Sequence, residues 1–224
     1  MEAPQCVLIL DFGGQYTQLI ARRVREHGVY SCVLPCGAPL ADIRALQPRG
    51  IIFSGGPASV LDEGAPTVDE GVFALGVPVL GICYGMQLMA HLLGAPVERG
   101  ARREYGRTDV TMDRVDGGLL AGLQPRSACW MSHTYQVARP PEGFAAIAHT
   151  ADCPVAAMAD ETRRLYGVQF HPEVTHTEEG ARVLENFLLD ICGCAGDWSM
   201  EAYADMAVRQ IREQVGGGTV LLGL

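Results

Sequence analysis

Five consecutive residues, Gly81-Ile82-Cys83-Tyr84-Gly85, carry the clearest chemical signal in the chain. They follow the apolar run Val77–Leu80 and precede the helical run Met86–Leu93. A glycine-flanked thiol therefore sits where a strand turns sharply into a helix, the arrangement of a nucleophile elbow. The glycines permit a strained backbone that lifts the side chain out of the sheet. The helix N-terminus behind it offers N–H donors and a positive dipole end, which favour a thiolate and a developing oxyanion. A buried cysteine in a tight turn uses the same residue types, so the pentapeptide needs company.

A thiol nucleophile needs a base, and Gln169-Phe170-His171-Pro172-Glu173 offers one. His171 falls just past a strand expected over Leu165–Gln169, on the rim where parallel sheets bind ligands. Glu173 is two residues on, with Pro172 stiffening the link, so its carboxylate can accept the second ring N–H and fix the tautomer. The remaining histidines have weaker claims. His27 and His91 lie in helical contexts, and His133 follows an aromatic strand and is a candidate to line the site. His149 and His176 have no supporting pattern. Ser54-Gly55-Gly56-Pro57 closes the preceding strand, and its glycines let the backbone aim an N–H at a reacting carbonyl oxygen. Together these residues fit thiolate attack on a carboxamide, loss of ammonia and hydrolysis of a thioester. Spacing does not say which amide is cleaved.

These residues must be held by strands alternating with helices. Strands are expected at Val7–Leu10, Val29–Leu34, Gly50–Phe53 and Val77–Leu80. Helices are expected after Gly14 as far as Gly28, near Ile43 and Leu46, across Val68–Leu75 and over Met86–Leu93. This spacing implies βαβ units and an α/β fold, an open, mostly parallel, doubly wound sheet with helices on both faces. From about Arg99 the pattern changes to short segments at Thr108–Met112, Cys129–Met131, Phe144–His149, Val155–Ala159 and Leu165–Gln169. These read as an antiparallel extension. Glu178–Cys192 returns to helix, with Val183, Leu184, Phe187 and Leu188 on one face. Ser199 is a suitable N-cap for a last helix through Val215, and Thr219–Leu222 has strand character. A strand placed there has no partner of its own, which suggests a chain that continues or pairs elsewhere.

Composition narrows the function classes. The 224 residues suffice for one sizeable domain with a short appendage. A net charge of −9 leaves no basic surplus to neutralise phosphates, so a general nucleic-acid binder is not expected. No signal peptide or membrane span is visible, and a cytoplasmic location is expected. The eight cysteines have no C-x-x-C spacing and read as reduced, mostly buried apolar residues. Cys192-Gly193-Cys194 lacks a second half-site, so no metal centre is expected.

The motifs Gly81–Gln87 and Gln169–Glu173 resemble those of class I glutamine amidotransferases. The likeness extends through Asp11–Gln18, Ser54–Val60, Arg102–Gly106, Trp130–His133, His171–Thr177 and Ile191–Trp198. It is closest to the subfamily that supplies ammonia for amination of xanthosine monophosphate to GMP. The resemblance implies a flavodoxin-like fold and a Cys83–His171–Glu173 triad. It also implies an oxyanion hole from the N–H groups of Gly56 and Tyr84, and glutamine binding by Gly55, Gln87, Thr134 and Tyr135. Residues 1–195 would form the amidotransferase domain. Residues 196–224 would be a linker helix and the first strand of an ATP-pyrophosphatase (synthase) domain. Glutamine and that synthase domain, in cis or in trans, are the partners it implies, in a homodimeric full-length enzyme. No cofactor is expected in this chain, since ATP and Mg2+ belong to the synthase domain. Thr134-Tyr135 departs from the subfamily's usual Gly-Asp, and Gly14 from its commoner serine. An amidotransferase subunit of another synthase, a free-standing amidase and a non-catalytic module of the same fold are the alternatives.

Overall fold

A computed structural model describes residues 5–221. Among these residues nine strands form one sheet: β1 (Cys6–Asp11), β2 (Tyr30–Pro35), β3 (Gly50–Phe53), β4 (Val79–Ile82), β5 (Val97–Met112), β6 (Arg126–Val137), β7 (Ala145–His149), β8 (Ala157–Asp160) and β9 (Leu165–Val168). Their order is β2-β1-β3-β4-β9-β8-β7-β5-β6. The first five in that order pair in parallel, and from β9 onward the pairing is antiparallel. The expected parallel core with an antiparallel extension is the observed architecture.

Alternation along β1 explains why both faces need cover. Val7 and Ile9 point to one side, where Ile20 and Val24 of helix α1 (Thr17–Glu26) and Val183 of α4 (Gly180–Glu185) meet Ile52, Leu80 and Ile82. Leu8 and Leu10 point to the other, where Ile43 of α2 (Leu40–Ala45) and Met86 and Met89 of α3 (Tyr84–Leu92) pack against Ile51, Phe53 and Val79. All of these side chains are buried. Each contributes about 1.5–3 kcal/mol by leaving water, which is what fixes the helices against the sheet.

Several boundaries differ from the sequence expectation. Val68–Leu75 forms only a 3-10 turn, Glu70–Ala74, capped by Asp69 Oδ1 on the Gly71 N–H at 2.8 Å. Gly71 weakens a helix there, and Gly76 ends it at φ +73°. β4 starts at Val79, after Pro78, and runs through Ile82 into the elbow. β5 is far longer than Thr108–Met112, because the charged Val97–Arg107 stretch pairs with β6 along one edge of the sheet. Glu178–Cys192 is a short α4 followed by a π-helical stretch, Asn186–Ile191. There Asn186 Nδ2 donates to the carbonyls of Leu119 and Ala121, both at 3.0 Å. Helix α5 (Met200–Val215) begins at Ser199, whose Oγ accepts from Ala202 N at 3.2 Å, as expected. Thr219–Leu221 carries no strand, since nothing pairs with its backbone among the described residues, and Leu222 lies outside them. No helix among the described residues is long and apolar enough to cross a membrane.

Candidate active site

β1, β3, β4 and β9 end on one edge of the sheet, and the loops leaving them build the site. Cys83 follows β4 and has φ +52° and ψ −106°, a conformation that costs a non-glycine residue about 1–3 kcal/mol. Its flanking glycines explain how the strain is tolerated. A Cβ on Gly81 would meet the backbone of Gly85 at 2.6 Å, and one on Gly85 would meet the Phe53 carbonyl at 2.5 Å. Strand and helix can close on each other only because neither position has a side chain. The Cys83 N–H then donates to Val168 O at 2.8 Å, tying the elbow's backbone to β9.

His171 is clamped through its main chain. Its N–H donates to Trp130 O at 3.0 Å, and its carbonyl accepts from Thr177 Oγ1 at 2.6 Å. The ring donates from Nδ1 to Glu173 Oε1 at 2.7 Å, and Tyr16 lies edge-on to it at 5.4 Å between ring centres. Glu173 is fully buried behind the ring, and Arg23 Nε holds its main-chain carbonyl at 2.9 Å. Burial works to lower the His171 pKa, but Cys83 and Glu173 outweigh it and push the ring up to about 10. The imidazolium is thus the favoured form of the ring that lies between Cys83 and Glu173. Glu173 Oε2 has no partner among the described residues, so the ring is that carboxylate's hydrogen-bond outlet.

A cleft of about 520 Å³ opens over these groups, lined by Cys83, His171, Gly55, Gly56, Tyr84, Gln87, His133, Thr134 and Tyr135 among others. Every expected site residue except Glu173 therefore reaches the cleft wall, and Glu173 stands directly behind His171. A Cβ on Gly55 would sit 3.2 Å from the His171 ring and 3.8 Å from Cys83 Cβ, which places this glycine between His171 and Cys83. Ser54 Oγ accepts from Phe12 N at 3.0 Å and donates to Gly55 O at 2.9 Å, locking the glycine turn to the loop after β1. No acceptor among the described residues takes the N–H of Gly56 or Tyr84. The Tyr84 hydroxyl is engaged, donating to Pro66 O at 2.5 Å. The two N–H bonds of Gln87 go to Tyr135 O and Gln169 Oε1, so its carbonyl oxygen is what remains for a ligand.

The other histidines are sorted by structure. His133 lines the cleft with both ring nitrogens engaged, and His149 pairs with Asp113 on the surface at 2.9 Å. His27 caps α1, His91 is exposed in the last turn of α3, and His176 packs against Trp130. All eight cysteines are free thiols, and Cys6 and Cys32 face each other across β1 and β2 at 2.8 Å. Glu104, His133 and Cys153 converge, with ligand-type atoms within 4.8 Å of one another. Glu104 is already bonded to His133 and Thr150, and burial pushes the Cys153 thiol up to about 12, so hydrogen bonds account for the group. Sequence reasoning missed Glu104, Gln169 and Arg23 as site residues. Gln169 alone carried a local signal, as the last residue of the strand expected before His171.

A strained thiol over a helix N-terminus stands beside a carboxylate-backed histidine and a glycine turn with free N–H groups, the set of groups that thiol-dependent acyl transfer would use. The chain matches the family described as "Glutamine amidotransferase class-I" over residues 8–191 and belongs to that family. Similarity to particular proteins narrows this further. The chain is 54% identical over 220 residues to "GMP synthase (glutamine-hydrolyzing)" of Acetivibrio thermocellus, covering 98% of this chain and 43% of that protein. The protein of the same description from Geobacillus kaustophilus gives the same figures, 54% over 220 residues, 98% and 43%. The chain thus spans less than half the length of these relatives. Among solved structures, a Thermoplasma acidophilum protein described as a GMP synthase subunit superposes with a TM-score of 0.77 at 27% identity, over 93% of this chain and 100% of that one. A glutamine amidotransferase of Thermotoga maritima shares the fold, with a TM-score of 0.62 at 20% identity over 94% of this chain and 86% of that one.

Proposed function

We propose that the chain hydrolyses L-glutamine to glutamate and ammonia, with Cys83 as nucleophile, His171 as acid and base, and Glu173 as the residue that orients it. The thiolate attacks the side-chain carboxamide, and the oxyanion takes the N–H groups of Gly56 and Tyr84. His171 gives its proton to the leaving nitrogen, ammonia departs, and a thioester remains. Water then attacks, giving its proton to His171, and the C–S bond breaks to release glutamate and the thiolate. The observation that carries this reading is the 2.7 Å Glu173–His171 bond beside a strained Cys83 in one cleft. Gly55, Gln87, Thr134 and Tyr135 would hold the substrate's α-substituents.

We further propose that the ammonia serves a synthase domain that uses ATP to aminate xanthosine monophosphate to GMP. The likeness to relatives that are more than twice as long supports this. On this reading residues 1–195 form the glutaminase, and 196–224 lead into the synthase domain. The test is ammonia release from glutamine by the wild-type chain and by Cys83→Ala, alone and mixed with the synthase portion of the A. thermocellus relative. Release that Cys83→Ala abolishes, with GMP formed in the mixture, is the expected result. Undiminished release from Cys83→Ala would overturn the nucleophile. Ammonia without GMP would separate the glutaminase from this synthase.

A further inference from the structure

The triad leaves a second set of buried polar groups unexplained. Gln169 is fully buried, and its Nε2 lies 3.6 Å from Cys83 Sγ. Its Oε1 faces Gln87 Nε2 at 3.0 Å, and the same Gln87 nitrogen lies 2.6 Å from the Tyr135 carbonyl oxygen. That carbonyl also faces His133 Nδ1 at 3.1 Å, while His133 Nε2 meets Glu104 Oε2 at 3.0 Å. Glu104 and His133 are direct cross-strand partners on β5 and β6, brought into register by the irregularity between Arg99 and Glu104.

Hydrogen-bond logic gives this chain a direction. By shape alone a side-chain amide fits either way round, and its neighbours decide. The Tyr135 carbonyl only accepts, so Gln87 must turn its NH2 toward it. The second N–H on that nitrogen needs an acceptor, so Gln169 must face it with oxygen. Gln169 is then left with its NH2 aimed at the sulfur. The far end is fixed in the same way. Thr150 Oγ1 accepts the N–H groups of Asp152 and Cys153 at 3.1 and 2.8 Å, so its own proton goes to Glu104 Oε1 at 2.7 Å. His133 Nδ1, facing a carbonyl, must carry a proton. The sulfur itself lies between two unlike groups. The Ser132 carbonyl, 3.8 Å away, suits a thiol proton, and the Gln169 amide suits a thiolate.

We propose that Gln169 is a positioning residue that donates an N–H to the Cys83 thiolate, and that the Tyr135 carbonyl and Gln87 hold its amide the right way round, with His133 and Glu104 bracing that carbonyl. This rests on Cys83 being the nucleophile. A buried donor aimed at the sulfur fixes its rotamer and stabilises the charge that attack requires. A hydrogen bond to a charged group is worth about tenfold or more in an equilibrium.

Alkylation of Cys83 by iodoacetamide tests this, because a small neutral reagent reads the sulfur without needing the glutamine-binding groups. Gln169→Met keeps the length and removes the donor, and it should slow alkylation at neutral pH about tenfold. Its kcat for ammonia release should fall in parallel, with KM little changed. Gln169→Glu puts an acceptor against the sulfur and should be slower still. Gln87→Met frees the Gln169 amide to turn over and should also slow alkylation. Alkylation at the wild-type rate in folded Gln169→Met overturns the proposal. If that variant does not fold, a wild-type rate in Gln87→Met overturns it instead. A wild-type chain whose Cys83 resists alkylation, or a Cys83→Ala variant that still releases ammonia, would count against the nucleophile and not against the relay.

Discussion

Replacing Gly85 by alanine tests whether the elbow depends on close backbone approach. The new Cβ would lie 2.5 Å from the Phe53 carbonyl oxygen and 2.6 Å from the Phe53 Cβ. Ordinary contact begins near 3.4 Å, so β3 and the start of α3 must separate by about 0.9 Å. Neither can move freely, since Phe53 is fully buried in the sheet and the Cys83 N–H is bonded to β9. Overpacking of this kind costs about 1–3 kcal/mol. Alanine returns about 1 kcal/mol because it is the better helix former. Net destabilisation is therefore modest, and catalysis is the more sensitive reading. A displacement near 1 Å moves Cys83 Sγ relative to His171 and to both oxyanion donors, and costs about 100-fold in rate. The assay is ammonia release with thermal unfolding measured beside it. Gly37→Ala is the control, because that Cβ meets nothing within 4 Å. A Gly85→Ala protein with activity within twofold of wild type would refute the argument that glycine is required there by contact.

Three further outcomes follow from the same geometry. Glu173→Gln should lower kcat by about 10²–10⁴-fold, because a neutral amide can still accept from the ring but no longer supplies the charge that stabilises its imidazolium form. It should also cost about 1–3 kcal/mol in denaturant unfolding, since the substitution would bury an amide nitrogen where Glu173 Oε2 has no partner. The His171 pKa is raised in the fold, to about 10 from 6.5, so its contribution to stability is complete below pH 6.5 and is lost as pH rises through about 10. Denaturation midpoints should accordingly fall between neutral pH and pH 10 more steeply in wild type than in Cys83→Ala, which lacks one of the groups that raise the ring. Equal slopes would show that the sulfur does not stabilise the imidazolium. Asn186→Ala should lose about 1–3 kcal/mol by leaving the Leu119 and Ala121 carbonyls short of a donor, checked by chemical denaturation.

The residues of the elbow could be read from sequence because their requirement is local. A thiol on a tight strand-to-helix turn needs glycine on either side, and Gly81 and Gly85 fulfil that within five residues. His171 and Glu173 were legible for a similar reason, since a strand end, a proline and a carboxylate two residues on determine their own spacing. The parallel core followed from β-branched runs alternating with helical periodicity, a pattern set by burying both faces of the sheet.

Other features depended on pairings between distant segments. The charged Val97–Arg107 stretch gives no strand signal of its own, and it is extended because β6 hydrogen-bonds to it along the sheet edge. Val68–Leu75 has helical periodicity and packs Val68, Val72 and Phe73 against the core, but Gly71 and Gly76 interrupt it and it closes as one tight turn. Gln169, Gln87 and Glu104 are ordinary polar residues in the sequence. Only the β5–β6 register, the β4–β9 pairing and the burial they create bring them into one directed chain. Local backbone chemistry thus determined which sulfur stands on the strained turn. Which groups hold that atom was decided by tertiary contacts, because a hydrogen bond across 82 residues of chain has no periodicity to betray it.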